Sequence, residues 1–250
     1  SSDEGAQAWA IPFADMMTLL LTLFILLLVI LKESEKFVDR QINLLLQETY
    51  EQLDDKIINE NVSIERVTKG IQITLRGNLF QSMKANVNKS YIPLIQEISK
   101  IIEDCRLFNI EETEQYSALM NFLEDRNEEL NVEIRCEGHT DDAILPPQSD
   151  FSNNWELSSA RSLKVVNIMN DASSISEKYF SYNGYGEFRP LINVSGIDDF
   201  QKKKQARAYN RRVEIYLDAF ARPKTRSSEA EFVKMLDNKF KKEEKLQLSN

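Results

Sequence analysis

The sequence predicts a single N-terminal transmembrane helix followed by an α/β domain, a mixed sheet covered by helices on one face. Three observations carry this. Residues Trp9 to Leu31 form an almost unbroken apolar run, and about 20 apolar residues suffice for a helix to cross the hydrocarbon core of a bilayer. Beyond the run, apolar residues recur at three- and four-residue steps in some segments and at every second residue in others. Those two kinds of segment alternate along the chain, the order that builds a sheet layered with helices. The 250 residues accommodate one span and one domain of ordinary size. A net charge of −9, with 28% of residues charged, argues against a nucleic-acid partner.

The apolar run is longer than the 7–15 residues or so of a secretory signal and leads straight into charged helix, so it reads as an anchor that stays. It carries one carboxylate, Asp15, shortly after Pro12. Two readings stand for Asp15. It remains hydrated near the interface or caps a helix start broken at Pro12; or it takes up and releases a cation, since an acid within a span costs roughly 2.5–3.5 kcal/mol and usually faces protein, water or an ion. Thr18 and Thr22 lie one and two turns further on a similar face. Their hydroxyls suit an ion path and are equally ordinary in packed membrane helices. No Lys or Arg precedes the run, whereas Lys32, Lys36 and Arg40 follow it. Taken alone, that charge pattern puts the larger C-terminal part in the cytoplasm. The chain begins with Ser1 rather than Met, and a preceding basic segment is expected.

From Lys32 to about Asn61, Val38, Ile42, Leu45, Leu46, Leu53 and Ile57 form a helical stripe. The stripe either packs back on its own domain or associates with a second copy or the membrane surface. Ile71 to Leu75 alternates as a strand. A helix follows from Ser90, with Pro93 in its first turn and Ile92, Ile95, Ile98, Ile101 and Ile102 as its apolar positions. Residues 109–130 are acidic and read as helical. Strands are expected over Val132 to Glu137, Tyr179 to Tyr185 and Arg212 to Leu217, with a helix from Trp155 to Asn170 between the first two. After Pro223, Ser228 and Glu231 form a capping box for a Lys-rich final helix. Cys105 and Cys136 are too few for a disulfide framework; they pair if exported, or serve as small core residues.

Three motifs carry the function: Gly138-His139-Thr140-Asp141, Asn154-Trp155-Glu156-Leu157-Ser158-Ser159-Ala160-Arg161 and Asn210-Arg211-Arg212-Val213-Glu214. Together with Gly184-Tyr185-Gly186-Glu187-Phe188-Arg189-Pro190 they resemble the OmpA-like peptidoglycan-binding domain over roughly residues 64–219. The N-terminal Phe13-Ala14-Asp15 and the long loop before Asn154 are similar to the MotB-type (MotB/PomB) stator subunits of ion-driven motors. The resemblance implies residues 1–8 as a cytoplasmic tail, 9–31 as the transmembrane helix, 32–63 as an amphipathic linker or plug, 64–219 as the periplasmic wall-binding domain with an acidic insertion at 109–130, and 220–250 as a charged helical tail. It places the protein in the bacterial inner membrane as a homodimer in contact with lipid, with a multi-span MotA-type partner and peptidoglycan.

The chemistry agrees with that resemblance. A wall stem presents an ammonium and carboxylates on diaminopimelate, and a site for them needs an acid and an arginine able to form two parallel bonds. Asp141 and Arg161 are the expected direct contacts, with Asn154, Leu157 and Arg211 in support, and the helix start near Asn154 offers backbone N–H groups to an anion. Without the resemblance, Asp141 reads as a turn cap and Arg161 as a surface ion-pair partner. His139, the only histidine, is expected to fix its loop by hydrogen bonds rather than bind metal. No nucleophile–base pair or phosphate loop is apparent, so no catalysis, cofactor or metal is expected. By the resemblance, Asp15 carries H+ or Na+. Two rivals share these motifs: a wall anchor without ion transport, and a motor of the same build serving defence or gliding rather than flagellar rotation.

Overall fold

The computed structural model describes residues 2–81, 83–110 and 113–224. Its first element is one helix, α1 (Ser2–Lys56), of 55 residues with Pro12 inside it. Between Pro12 and Lys56 the sequence has neither Gly nor Pro, so nothing interrupts the ladder where the apolar run gives way to the amphipathic segment. The two parts differ in what they touch. From Trp9 to Leu31 the large apolar side chains all stand exposed, around an apolar stretch of mean hydropathy 2.6 in which no residue is buried. From Val38 onward the stripe of Ile42, Leu45, Leu46 and Leu53 is buried in the domain core, with Ile57 just beyond the helix end. The structure thus docks the 32–61 segment on its own domain.

The domain is built on five strands: β1 (Val62–Val67), β2 (Gly70–Leu75), β3 (Glu128–His139), β4 (Phe180–Gly184) and β5 (Arg212–Pro223). They lie in the order β1-β2-β5-β3-β4. β3 and β4 run parallel and the other pairs antiparallel, so the sheet is mixed. Among the described residues the other α-helices are α2 (Ile92–Glu103), α3 (Ser117–Asp125), α4 (Asn154–Ala172) and α5 (Phe200–Asn210). Alternation sorts the two faces of the sheet. Ile71, Ile73, Val132, Ile134, Cys136, Val213, Ile215 and Leu217 join the α1 stripe, Ile95, Ile98 and Ile102 of α2 and Val165 and Met169 of α4 in one core. The opposite face carries Glu133, Arg135, Glu137, His139, Glu214, Tyr216 and Asp218.

Several elements depart from the sequence pattern. β1 was not expected: it is an edge strand with no fully buried residue, so its alternation is weak. α5 was missed because only Ala206 and Asn210 of its residues are buried, leaving no apolar stripe to see. The 109–130 segment is not one helix. A short 3₁₀ turn (Glu114–Tyr116) leads into α3, and β3 has begun by Glu128. β3 and β5 remain paired out to Glu128 and Pro223, so residues 220–223 belong to the sheet and not to the tail. The capping box at Ser228 lies outside the described residues. Cys105 and Cys136 are buried and unpaired, as core thiols whose pKa burial raises to about 11 and about 12 respectively.

Polar contacts tie α1 to the domain beside its apolar stripe. Glu48 accepts from Arg106 Nη1 at 3.1 Å, Tyr116 Oη at 2.9 Å and Gln115 Nε2 at 3.1 Å. Gln52 accepts from the Arg106 backbone N–H, and Phe37 meets Phe122 edge-on at 5.3 Å.

Candidate functional site

Where β3 ends, its backbone comes hard against α4. Gly138 and Gly184 are paired residues of the parallel β3–β4 ladder. A Cβ on Gly138 would lie 2.1 Å from the Ser158 carbonyl oxygen, and one on Gly184 would lie 2.3 Å from the Ser159 nitrogen. Two adjacent glycines therefore form a Cβ-free floor on which the first turns of α4 rest. Asn153 caps that helix, its side chain accepting from the Glu156 N–H at 3.0 Å, while the Glu156 carboxylate accepts from the Ser152 N–H at 2.7 Å. The arrangement is close to a capping box with Asn leading, except that Glu156 reaches back to the N–H of the residue before the cap. The cap already uses one of the amides expected to be available to an anion.

The close approach brings the end of β3 and the start of α4 to one cavity of about 260 Å³. All five residues expected to touch the ligand line it: Asp141, Asn154, Leu157, Arg161 and Arg211. Asp141 Oδ2 accepts from Arg211 Nη1 at 2.6 Å and its Oδ1 from the Ala143 N–H at 3.2 Å. Asn154 Nδ2 donates to the Ala143 carbonyl at 3.2 Å and to Glu187, joining the 141–143 turn to the 184–188 turn. Leu157 is a buried apolar wall. Beside the pocket, Asp142 and Arg207 form a two-bond pair at 2.6 and 2.9 Å, whose hydrogen bond holds the Asp142 carboxyl below its usual range.

Arg161 is 4% exposed, so it is not the surface ion-pair partner of the alternative reading. Its Nε donates to the Lys84 carbonyl at 3.0 Å, and its guanidinium sits 4.8 Å over the Phe80 ring. Among the described residues nothing accepts from its two terminal nitrogens. Burial pulls its pKa down to about 10 against the opposing charge of Asp141, so it stays cationic at neutral pH. A cation held from behind, with two parallel donors unused, is suited to a carboxylate.

The third wall of the pocket was not foreseen. It comes from the loop after β2, through Gly77, Asn78, Phe80, Gln81 and Met83. Gly77 and Met83 there adopt positive φ, of 91° and 56°. The Gly77-Asn78 pair was the available turn signal, but nothing in it points to Arg161.

His139 lies on the other face of the sheet and, among the described residues, makes no hydrogen bond from either ring nitrogen, contrary to expectation. It is 2% exposed, stacked 5.6 Å from the Tyr185 ring, with Nε2 3.4 Å from Glu214. Burial outweighs Glu214 and lowers its pKa. Glu137, His139 and Glu214 place their ligand atoms within 4.8 Å of one another, yet Arg135 is paired with Glu137 and Arg212 with Glu214. The carboxylates are thus already neutralised, and the cluster reads as a buried charge lattice. Burial by itself would raise the Glu214 pKa; its contacts to His139 and Arg212 reverse that and bring it to about 2.

In the apolar half of α1, Asp15 stands exposed with no partner for its carboxylate among the described residues. The Thr18 hydroxyl donates to the Ala14 and Asp15 carbonyls at 3.0 and 2.7 Å, and that of Thr22 to Leu19 at 2.8 Å. Both hydroxyl protons are used within the helix, which leaves only oxygen lone pairs facing outward.

Comparison with known proteins matches both parts of the chain. Residues 1–43 match the family model described as membrane MotB of the proton-channel complex MotA/MotB, and residues 107–204 match that of the OmpA family. Motility protein B of Bacillus subtilis (strain 168) is 26% identical over 166 residues, covering 66% of this chain and 51% of the relative; the chain thus matches about half the length of that relative. The uncharacterized protein YtxE of the same organism is 23% identical, over 86% of this chain and 90% of its own. A solved structure of a putative MotB-like protein from Desulfovibrio vulgaris superposes with a TM-score of 0.51 at 19% identity, covering 75% of this chain and 99% of that one; this likeness concerns the fold. The two family matches fall in the order that the span and the pocket take along the sequence, and together they support a MotB-type protein with an OmpA-like domain.

Proposed function

We propose that this chain is the single-span stator subunit of an ion-driven membrane motor, held to peptidoglycan by its C-terminal domain. One observation carries the reading: Asp141, Asn154, Leu157, Arg161 and Arg211 converge on one pocket, in a domain joined by unbroken helix to an apolar span bearing Asp15. In this reading the N-terminus is cytoplasmic, the domain periplasmic and the membrane the bacterial inner membrane. The stem's ammonium meets Asp141, already oriented by Arg211, and its carboxylate meets the two unused nitrogens of Arg161. No catalytic step or cofactor is involved.

Two copies, with a multi-span MotA-type partner, present two Asp15 carboxylates to H+ or Na+. Neutralising and recharging Asp15 changes its preference between low-dielectric and polar surroundings, and so biases one arrangement of the partner over another. The wall contact holds the subunit still, so that partner movement becomes torque.

Two variants test the two halves. Asp141→Ala or Arg161→Ala should weaken pull-down of the full chain on purified sacculi; unchanged binding moves the wall site elsewhere. Asp15→Asn should abolish ion flux with the partner while leaving insertion and wall binding intact. Flux that survives this change removes Asp15 from the ion path, and absence of flux from the wild-type chain with its partner leaves a wall anchor without an ion role. Motor output across a Na+ series at fixed proton-motive force identifies the ion.

A further inference from the structure

Among the described residues, the acidic insertion at 109–130 lends none to the ligand pocket. Its contacts run instead down the side of α1. Tyr116 Oη donates to Glu48, the Phe122 ring meets Phe37, and Arg126 Nη1 donates to Ser34 Oγ at 2.9 Å. As the numbers rise on one partner they fall on the other, so α3 descends antiparallel to α1 toward the apolar run. It ends at a corner, where Arg126 caps the helix, Asn127 takes a φ of 56° and β3 starts at Glu128. Two contacts fasten this corner. The Lys224 N–H donates to the Asn127 carbonyl at 2.8 Å, and the Arg126 guanidinium sits 5.6 Å over the Phe122 ring.

The height of the corner follows from the helix rise. Trp9 to Leu31 cover about 33 Å of helix, slightly more than a hydrocarbon core of about 30 Å, so Leu31 stands at the edge of that core. Ser34 is about 4.5 Å further out, and headgroups fill a layer of roughly 5–7 Å on each side. The Arg126 guanidinium, hydrogen-bonded to Ser34, therefore stands in the headgroup layer of a bilayer that α1 crosses. Charge sets what it meets there. Glu128 lies 3.4 Å from Arg126 Nε, Glu124 lies 3.4 Å from Lys224 Nζ, and Glu129 lies 2.8 Å from Arg222 Nε, so the corner largely neutralises itself. Arg126 Nη2 has no acceptor among the described residues, and Lys32 and Lys36 stand exposed on α1 at the same level. Such donors suit phosphate oxygens, while Glu33 and Glu35, exposed beside the two lysines, suit the ammonium of a zwitterionic lipid. We infer that the α3–β3 corner is a second membrane contact, in which Arg126 meets the phosphates of phospholipid headgroups. The inference rests on the reading of Trp9 to Leu31 as a span, and continuity with the lipid around that span selects the occupant. The insertion is then a strut that reaches the bilayer surface beside α1 and gives the domain a second point of support.

The test uses the full chain in vesicles of phosphatidylethanolamine and phosphatidylglycerol. Cys105 and Cys136 are buried, so a thiol-reactive fluorophore on the native chain reaches only an introduced cysteine. Asp125→Cys reports the corner, Leu20→Cys reports the span, and Glu97→Cys, beside Lys56 and Ile57 at the far end of α1, is the remote control. A nitroxide on the lipid headgroup should quench the label at 125 severalfold more than the label at 97, and an acyl-chain nitroxide should quench the label at 20. Equal quenching at 125 and 97, with the label at 20 quenched, overturns the contact alone; no quenching at 20 removes the span reading and the contact with it. Quenching at 125 that disappears when the multi-span partner is reconstituted with the chain assigns the corner to that protein and overturns the lipid assignment. The phosphate has its own arm. The unfolding midpoint should be a few degrees higher in the phospholipid vesicles than in vesicles of an uncharged galactolipid, and Arg126→Gln should shrink that margin. Losing the contacts to Ser34 and Phe122 lowers both midpoints alike, so a margin unchanged in Arg126→Gln overturns the phosphate contact.

Discussion

Replacing Gly138 by Ala adds a single carbon at the closest backbone approach beside the pocket. That carbon would stand 2.1 Å from the Ser158 carbonyl oxygen and 2.9 Å from its carbon. Both are backbone atoms in the second turn of α4, so no side chain can swing aside. Restoring an ordinary contact requires α4 to lift by roughly 1 Å, an overpacking strain of about 1–3 kcal/mol. For a domain of this size each kcal/mol lowers the melting midpoint by about 2–4 °C. The lift also carries Asn154, Leu157 and Arg161 away from Asp141, which sits on the opposite side of the contact. Thermal unfolding of the full chain in detergent, followed by near-UV circular dichroism, should show the lowered midpoint, and sacculus pull-down should weaken. Gly184→Ala strains the same floor from the neighbouring strand and should behave alike. A Gly138→Ala chain with the wild-type midpoint and wild-type retention on sacculi would refute the account of the floor.

Other outcomes follow from the core and its charges. Leu45→Ala removes a fully buried side chain where α1 crosses the sheet, and should cost about 2–5 kcal/mol in denaturant unfolding; a cost near zero would mean that α1 is not docked in solution. Glu214, with a folded pKa of about 2 against a usual 4.5, contributes stability that is fully present above pH 4.5 and is lost as pH falls toward 2. The lowered pKa of His139 removes stability in the same direction, beginning below its unfolded value of about 6.5. Unfolding midpoints measured from pH 7 to pH 2 should therefore fall, and Glu214→Gln should flatten the part below pH 4.5. The thiols of Cys105 and Cys136 should be unreactive to a disulfide reagent at pH 8 in the native chain, and both should react after unfolding; rapid native labelling would contradict their burial.

The pocket was legible because its five expected ligand contacts fall within three short motifs, each at an element's end. What holds Arg161 was not. Its Nε partner is the carbonyl of Lys84, a group every residue possesses, and the ring beneath it, Phe80, is far away in sequence. His139 misled for a related reason: a histidine in a turn motif suggests a loop hydrogen bond, but strand alternation turns this one to the polar face beside Glu214. The apolar run and the amphipathic stripe read as two elements because their partners differ, bilayer and sheet. The absence of any breaker between them, equally visible in the sequence, fixes them as one.

That continuity makes α1 a stiff shaft. Leu31 and Val38 are seven residues apart, about 10 Å of helix, so the sheet is held close to the point where the apolar stretch ends. The shaft also transmits angle. At about 100° per residue, Asp15 lies roughly half a turn around the axis from the Val38, Ile42, Leu45, Leu46 and Leu53 seam. Turning the domain about that axis turns Asp15 with it, so the direction in which the carboxylate faces is set by how the sheet is seated. Inserting one residue after Leu31 would rotate that direction by about 100° while leaving both the carboxylate and the pocket chemically intact.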